Sequence, residues 1–189
     1  MNQSEMTTVK LTKLAMMTAV SIVLLLLVRI PWPAAPFLEY DPADLPIYIT
    51  AFAFGPIEGL LVTLIVCLIQ AFALGGSGIY GFIMHFIATG IVAVVIGTIY
   101  KRNKTKKTAI RALILGVIIT TVVMCIMNII VTPVFMGAPR SAVIAMIPTV
   151  IIPFNLVKAG VNSLLTFILY KRISGLLHGD TEVVKKEED

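Results

Sequence analysis

Apolar residues run in long blocks along this chain, separated by short breaks rich in Gly, Pro and charge. The first block runs from Leu14 to Ile30 and stops at Pro31-Trp32-Pro33. The second starts near Asp44, in the turn Asp41-Pro42-Ala43-Asp44-Leu45-Pro46, and ends after Phe54 at Gly55-Pro56. The third covers Ile57 to Leu74 and is closed by Gly75-Gly76-Ser77-Gly78. A fourth spans Ile79 to Tyr100, a fifth about Ala109 to Phe135, and a sixth about Thr149 to Tyr170. None shows the roughly ten-residue alternation of an outer-membrane barrel strand. Blocks of about 20 apolar residues are long enough to cross a bilayer as helices, and only the second falls short. The pattern predicts an all-α integral membrane protein with six transmembrane helices and a short second helix that is tilted, broken or partly buried. Asp44 reads as the N-cap of that helix, with Pro46 tolerated in its first turn.

Composition supports the same class. The 189 residues are 58% hydrophobic and 13% charged, too few charges to cover a soluble domain of this length. Basic residues cluster at Lys10 and Lys13, at Lys101, Arg102, Lys104, Lys106, Lys107 and Arg111, and at Lys171, Arg172, Lys185 and Lys186. Six spans put all three clusters on one side, which places both termini in the cytoplasm of a multi-pass cell membrane protein. This topology explains the net charge of +5 without nucleic acid. The chain divides into a cytoplasmic segment over 1–9, a membrane domain over 10–173 and a charged tail over 174–189, whose end is expected to be disordered. No A-x-A site follows the first block, so that span is expected to be retained. Cys67 and Cys125 lie in apolar runs without ligand spacing and read as small buried hydrophobes, with no metal site and no cofactor implied.

Against this background Lys158 stands out, because a charge within a span is costly and faces the protein interior by default. On a helix, Asn155, Lys158 and Asn162 share one face. The topology places His85, Asn128, Asn155 and Lys158 about 9–14 Å below the outer surface, on three different spans. Polar groups converging at one depth predict a pocket open to the outside, with Met84, Phe82, Phe86, Met124, Met127 and Phe154 as apolar walls. Each residue also has a structural reading: Asn128 as an interhelical hydrogen bond, His85 as a satisfied buried imidazole, Lys158 as a snorkelling side chain. No carboxylate is expected at that depth, so the pocket suits a flat, partly apolar ligand better than an inorganic cation. The proline-stiffened outer segment Pro31 to Pro42, with Trp32, Phe37, Leu38 and Tyr40, reads as a lid or an interfacial aromatic belt. Ala15-x-x-x-Ala19 allows close approach of another helix, in this chain or a partner.

At these residues the chain resembles the substrate-binding S component of an energy-coupling factor (ECF) transporter, of the riboflavin-binding type. The resemblance covers about Lys10 to Arg172. It is carried by Ala15-x-x-x-Ala19, by Asp41-Pro42-Ala43-Asp44-Leu45-Pro46 running to Gly55-Pro56-Ile57-Glu58-Gly59, and by Pro153-Phe154-Asn155 with Lys158. It implies six helices, capture of riboflavin from outside, and docking onto a membrane T component driven by two cytoplasmic ABC-type ATPases. It implies substrate contacts from Asn128, Asn155 and Lys158, joined by Met84, His85, Leu38 and Tyr40, and docking through Ala15 and Ala19. The chain has no G-x-x-x-x-G-K-[ST] loop of its own for ATP, consistent with pumping by partners.

Three other readings compete. An S component for thiamine, folate or a pyridoxal-like vitamin would differ only in its ligand. An intramembrane hydrolase would use Ser77 in the glycine loop with His85, although a regular helix does not align the two. A structural subunit without a ligand would tolerate Leu at Lys158.

Overall fold

The computed structural model describes residues 3–74 and 78–186. Helix α1 (Gln3–Leu27) leads into a hairpin of β1 (Ile30–Trp32) and β2 (Ala35–Tyr40). Then follow α2 (Asp44–Ala53), α3 (Pro56–Phe72), α4 (Gly78–Arg102), α5 (Lys106–Met136), α6 (Arg140–Met146) and α7 (Ile152–Lys186). A π-helical turn, Ile147–Ile151, joins α6 to α7. Among the described residues, four stretches are long and apolar enough to cross a membrane: Thr7–Leu27, Gly78–Arg102, Lys106–Met136 and Arg140–Tyr170. The chain is thus mostly helical and has the long apolar helices of a membrane protein.

Helix α2 forms the centre. It packs against α1, α3, α4 and α7, while α1–α3, α3–α4, α4–α5 and α5–α7 contacts run around it. At 10 residues it is only about 15 Å long, and it is buried from Asp44 through Phe52. Its neighbours, rather than lipid, satisfy its apolar surface. Ile47, Tyr48, Ala51 and Phe52 meet Val62, Val66, Val92, Ile96 and Leu113 in the main core. At the end of the bundle away from the hairpin, Phe52, Tyr100 and Tyr170 pack ring to ring at 4.6–5.6 Å.

The turn from α2 to α3 depends on Gly55, whose φ of 123° few other residues adopt, followed by Pro56 opening α3. Helix α4 then crosses this turn closely. A Cβ on Gly97 would lie 2.9 Å from the Pro56 Cα and 3.0 Å from the Ala51 carbonyl oxygen.

The fold departs from the sequence expectations in four places. The outer segment is a two-stranded hairpin, so the chain is not all-α; backbone pairing of Ile30 with Tyr40 and Pro31 with Glu39 organises it. The N-cap of α2 is Ala43, not Asp44, and its backbone N–H donates to Asp41 Oδ1 at 3.1 Å. The last apolar block starts earlier than Thr149, because α6 and the π turn extend it back to Arg140. Helix α7 continues to Lys186, where the charged tail was expected to be disordered. The Ser77 of the hydrolase reading lies outside the described residues.

Candidate functional site

A cavity of about 560 Å³ opens at the hairpin end of the bundle. Its volume lies in the range of about 300–1,000 Å³ that suits a small organic ligand. The hairpin, the start of α2, the end of α3, the start of α4, the second half of α5 and the start of α7 each contribute to the wall.

The π turn and Pro153 shape the α7 side. Asn155 donates Nδ2–H to the Ile151 carbonyl at 2.8 Å, across the junction between the π turn and α7. Its Oδ1 makes no hydrogen bond among the described residues. Asn128 similarly donates to the Met124 carbonyl at 2.8 Å and accepts from Thr132 Oγ1 at 2.8 Å. Both amides line the cavity while only 1–2% exposed. Fixed by their own helices, they present oriented polar groups rather than free rotors.

Lys158, one turn below Asn155, donates Nζ–H to Asp41 Oδ2 at 2.7 Å. The pair is largely enclosed, with side-chain exposures of 17% for Lys158 and 3% for Asp41. Asn162, a further turn along α7, donates Nδ2–H to the Asp41 carbonyl at 3.1 Å and to Asp44 Oδ2 at 3.2 Å. Asp44 Oδ1 accepts from Thr89 Oγ1 at 3.0 Å and from His85 Nε2 at 2.9 Å. His85 Nδ1 shares a 2.5 Å hydrogen bond with the Gln70 amide. A continuous polar network therefore joins the hairpin exit, α2, α3, α4 and α7 along one side of the cavity. Phe37, Leu38, Met84, Met124, Phe135 and Phe154 supply apolar surface.

Six of the seven residues expected at the substrate line this cavity: Leu38, Met84, His85, Asn128, Asn155 and Lys158. Tyr40 does not. Its hydroxyl points to α7 and donates to Asn162 Oδ1 at 3.1 Å. Burial, and then the Asp41 carboxylate beside it, raise the Tyr40 pKa above its usual value, so the hydroxyl remains a donor at neutral pH.

The expectation that no carboxylate reaches this depth is wrong. Asp41 and Asp44 both line the cavity, each paired with a basic side chain. Sequence reading missed Asp44 because an Asp at a helix start reads as a cap. Its location under His85 and Thr89 depends on the fold. Gln70 and Thr89 were also missed, since a lone polar residue in an apolar helix gives no directional signal. Among the described residues no group of three or more His, Cys, Asp or Glu could hold a metal ion.

Ala15 and Ala19 on α1 do not line the cavity and are both exposed, while their neighbours Met17 and Thr18 are buried. Cys67 is buried and lines the cavity; Cys125 is partly exposed, and both are free.

Comparison with known proteins places this geometry. A model of the family described as "ECF transporter, substrate-specific component" matches residues 9–170. The riboflavin transporter RibU of Staphylococcus aureus (strain TCH60) is 30% identical over 176 residues, covering 89% of this chain and 92% of that one. The riboflavin transporter FmnP of Bacillus subtilis (strain 168) is 27% identical over 174 residues, covering 87% and 91%. A solved structure described as the S component of a bacterial ECF transporter superposes with a TM-score of 0.77 at 29% identity, covering 93% of this chain and 99% of that chain.

Proposed function

Because this chain belongs to the family of ECF transporter substrate-specific components, we propose that it binds riboflavin from outside the cell and delivers it to a transporter complex. The single observation that carries the vitamin is the match along nearly the whole chain to riboflavin transporters. The cavity agrees with it chemically. A flat tricyclic ring suits the Leu38, Met84, Met124 and Phe154 surfaces. Its pyrimidine-like edge and ribityl hydroxyls suit Asn128, Asn155 and Lys158. His85 has both ring nitrogens engaged by Asp44 and Gln70, so it supports the wall more than it reads the cargo.

The chain is a binding subunit rather than an enzyme. In this reading it crosses the cell membrane six times, with the short α2 held inside the bundle and both termini in the cytoplasm. The basic clusters on one side support that orientation. A membrane T component and two cytoplasmic ABC-type ATPases would drive uptake, with Ala15 and Ala19 on the docking face. Exposed small side chains four apart on α1 support that assignment.

The test is titration of the detergent-purified protein with riboflavin, following quenching of flavin fluorescence. Saturable one-to-one binding that excess thiamine does not compete is the expected result. A folded sample that leaves riboflavin unquenched but binds another vitamin would keep the family and discard this cargo.

A further inference from the structure

Two consecutive residues at the exit of the hairpin are tied to two residues one helical turn apart on α7. Tyr40 donates to Asn162 Oδ1 at 3.1 Å, and Asp41 pairs with Lys158 at 2.7 Å. Lys158 and Asn162 sit four apart and therefore on one face of α7. Asn162 closes the arrangement through its bond to the Asp41 carbonyl, and it is fully buried without lining the cavity. It cannot touch cargo directly, yet both polar groups of its side chain are spent on the hairpin exit and on Asp44.

The hairpin also packs on this part of the molecule. Ala35 and Leu38 bury against Phe154, with Met146 and Val150 of the α6–π segment alongside. Trp32 meets the Phe154 ring edge to face at 5.6 Å. Leu38 and Phe154 belong to the cavity wall, so the packed hairpin forms part of the enclosure.

We infer that Tyr40, Asp41 and Asn162 form a latch that seats the hairpin over the cavity and sets how long cargo remains bound. Asn162 and Tyr40 are positioning residues: they act through the hairpin and Lys158. The cargo side of this inference rests on the riboflavin reading; the seating of the hairpin does not. The latch reaches the cavity through Asp41, whose partner Lys158 also faces the cavity. A bound ligand and a seated hairpin therefore depend on the same ammonium. Contacts formed after encounter are expressed mainly in the dissociation rate.

The chain's single tryptophan, Trp32, lies on the hairpin and reports its seating directly. The experiment uses the full chain in detergent, as wild type, Tyr40→Phe and Asn162→Ala. Tyr40→Phe removes one hydroxyl and keeps the ring. Stopped-flow quenching of riboflavin gives association and release rates. Acrylamide quenching of Trp32, without riboflavin, gives the seating of the hairpin.

Tyr40→Phe is expected to speed release about 3–10-fold, the loss typical of one buried hydrogen bond. Its association rate should change less than about 2-fold. Asn162→Ala should release faster still, and both variants should expose Trp32 to acrylamide more than wild type does. Release from Tyr40→Phe within about 2-fold of wild type overturns the latch, as does weakening carried by association alone. If wild type fails to bind riboflavin, the cargo reading falls. Unchanged Trp32 quenching in Tyr40→Phe then overturns the latch as well, and increased quenching upholds it.

Discussion

The Asp41–Lys158 pair joins the stability of the fold to the wall of the cavity. Asp41 is almost wholly enclosed, and Lys158 is its one ion-pair partner among the described residues. Removing one member of such a pair strands the other, at a typical cost of about 3–5 kcal/mol, whereas replacing both by neutral groups of similar shape costs much less. Lys158→Met alone should therefore lower the melting temperature in detergent, and the double variant Asp41→Asn with Lys158→Met should recover much of that loss. Both should bind riboflavin more weakly, since the cationic donor is gone in each. A double variant that melts below the Lys158→Met single variant would contradict this account. Tyr40 gives a pH prediction of opposite character. Its pKa is raised, so the neutral donor form is favoured by folding, and its contribution is complete below the usual tyrosine value of about 10. It is lost only as pH rises through the higher folded value. Riboflavin release rates should show no Tyr40-dependent change between pH 7 and about pH 9.5, which comparing wild type with Tyr40→Phe across that range checks directly.

Among elements, the crossing of α4 over the α2–α3 turn is tight enough to test directly. A methyl on Gly97 meets backbone atoms of Pro56 and Ala51 at 2.9–3.0 Å, and backbone cannot move aside as a flexible side chain can. Gly97→Ala should destabilise the protein by about 1–3 kcal/mol, the usual range for overpacking. Gly160 on α7 provides the control, because an added Cβ there meets nothing within 4 Å. Gly160→Ala should leave the melting temperature unchanged or raise it, since alanine favours a helix by about 1 kcal/mol over glycine. Equal melting temperatures for the two variants would refute the close-crossing argument. These elements also show what the sequence could disclose. The shortness of α2 was legible, because Gly55-Pro56 cuts its apolar block and no lipid-spanning length remains. The shared face of Asn155, Lys158 and Asn162 was legible from helical spacing alone. The hairpin was not, since its prolines read as a stiff loop and its pairing depends on a register set across the turn. The polar network around Asp44 was invisible for a related reason. Its partners come from α4 and α7, 41 to 118 positions away, and only the bundle brings them together.

At the scale of the whole molecule, the cavity and the exposed Ala15–Ala19 strip occupy different ends of α1. The cavity reaches α1 only through Arg29, just past the last turn of that helix. Ala15 lies about 20 Å before it along the axis, at about 1.5 Å per residue. Ala15 and Ala19 present an exposed strip with Met16 and Val20, while Met17 and Ser21 turn inward to the bundle. Ser21 Oγ–H donates to the Ala43 carbonyl at 2.9 Å, fixing the rotation of α1 against the start of α2. The outward direction of the alanines is thus set by the fold. Tryptophan at either position would add bulk to the strip without entering the core or the cavity. Riboflavin affinity of Ala15→Trp with Ala19→Trp in detergent should then match wild type within about 2-fold, because no cavity contact changes. Uptake by cells carrying the complete transporter should collapse, because close helix approach across small residues is lost. Normal uptake would move the docking face elsewhere on the molecule. Loss of both binding and uptake would show that α1 is coupled to the cavity through its length, contrary to the separation that the geometry describes.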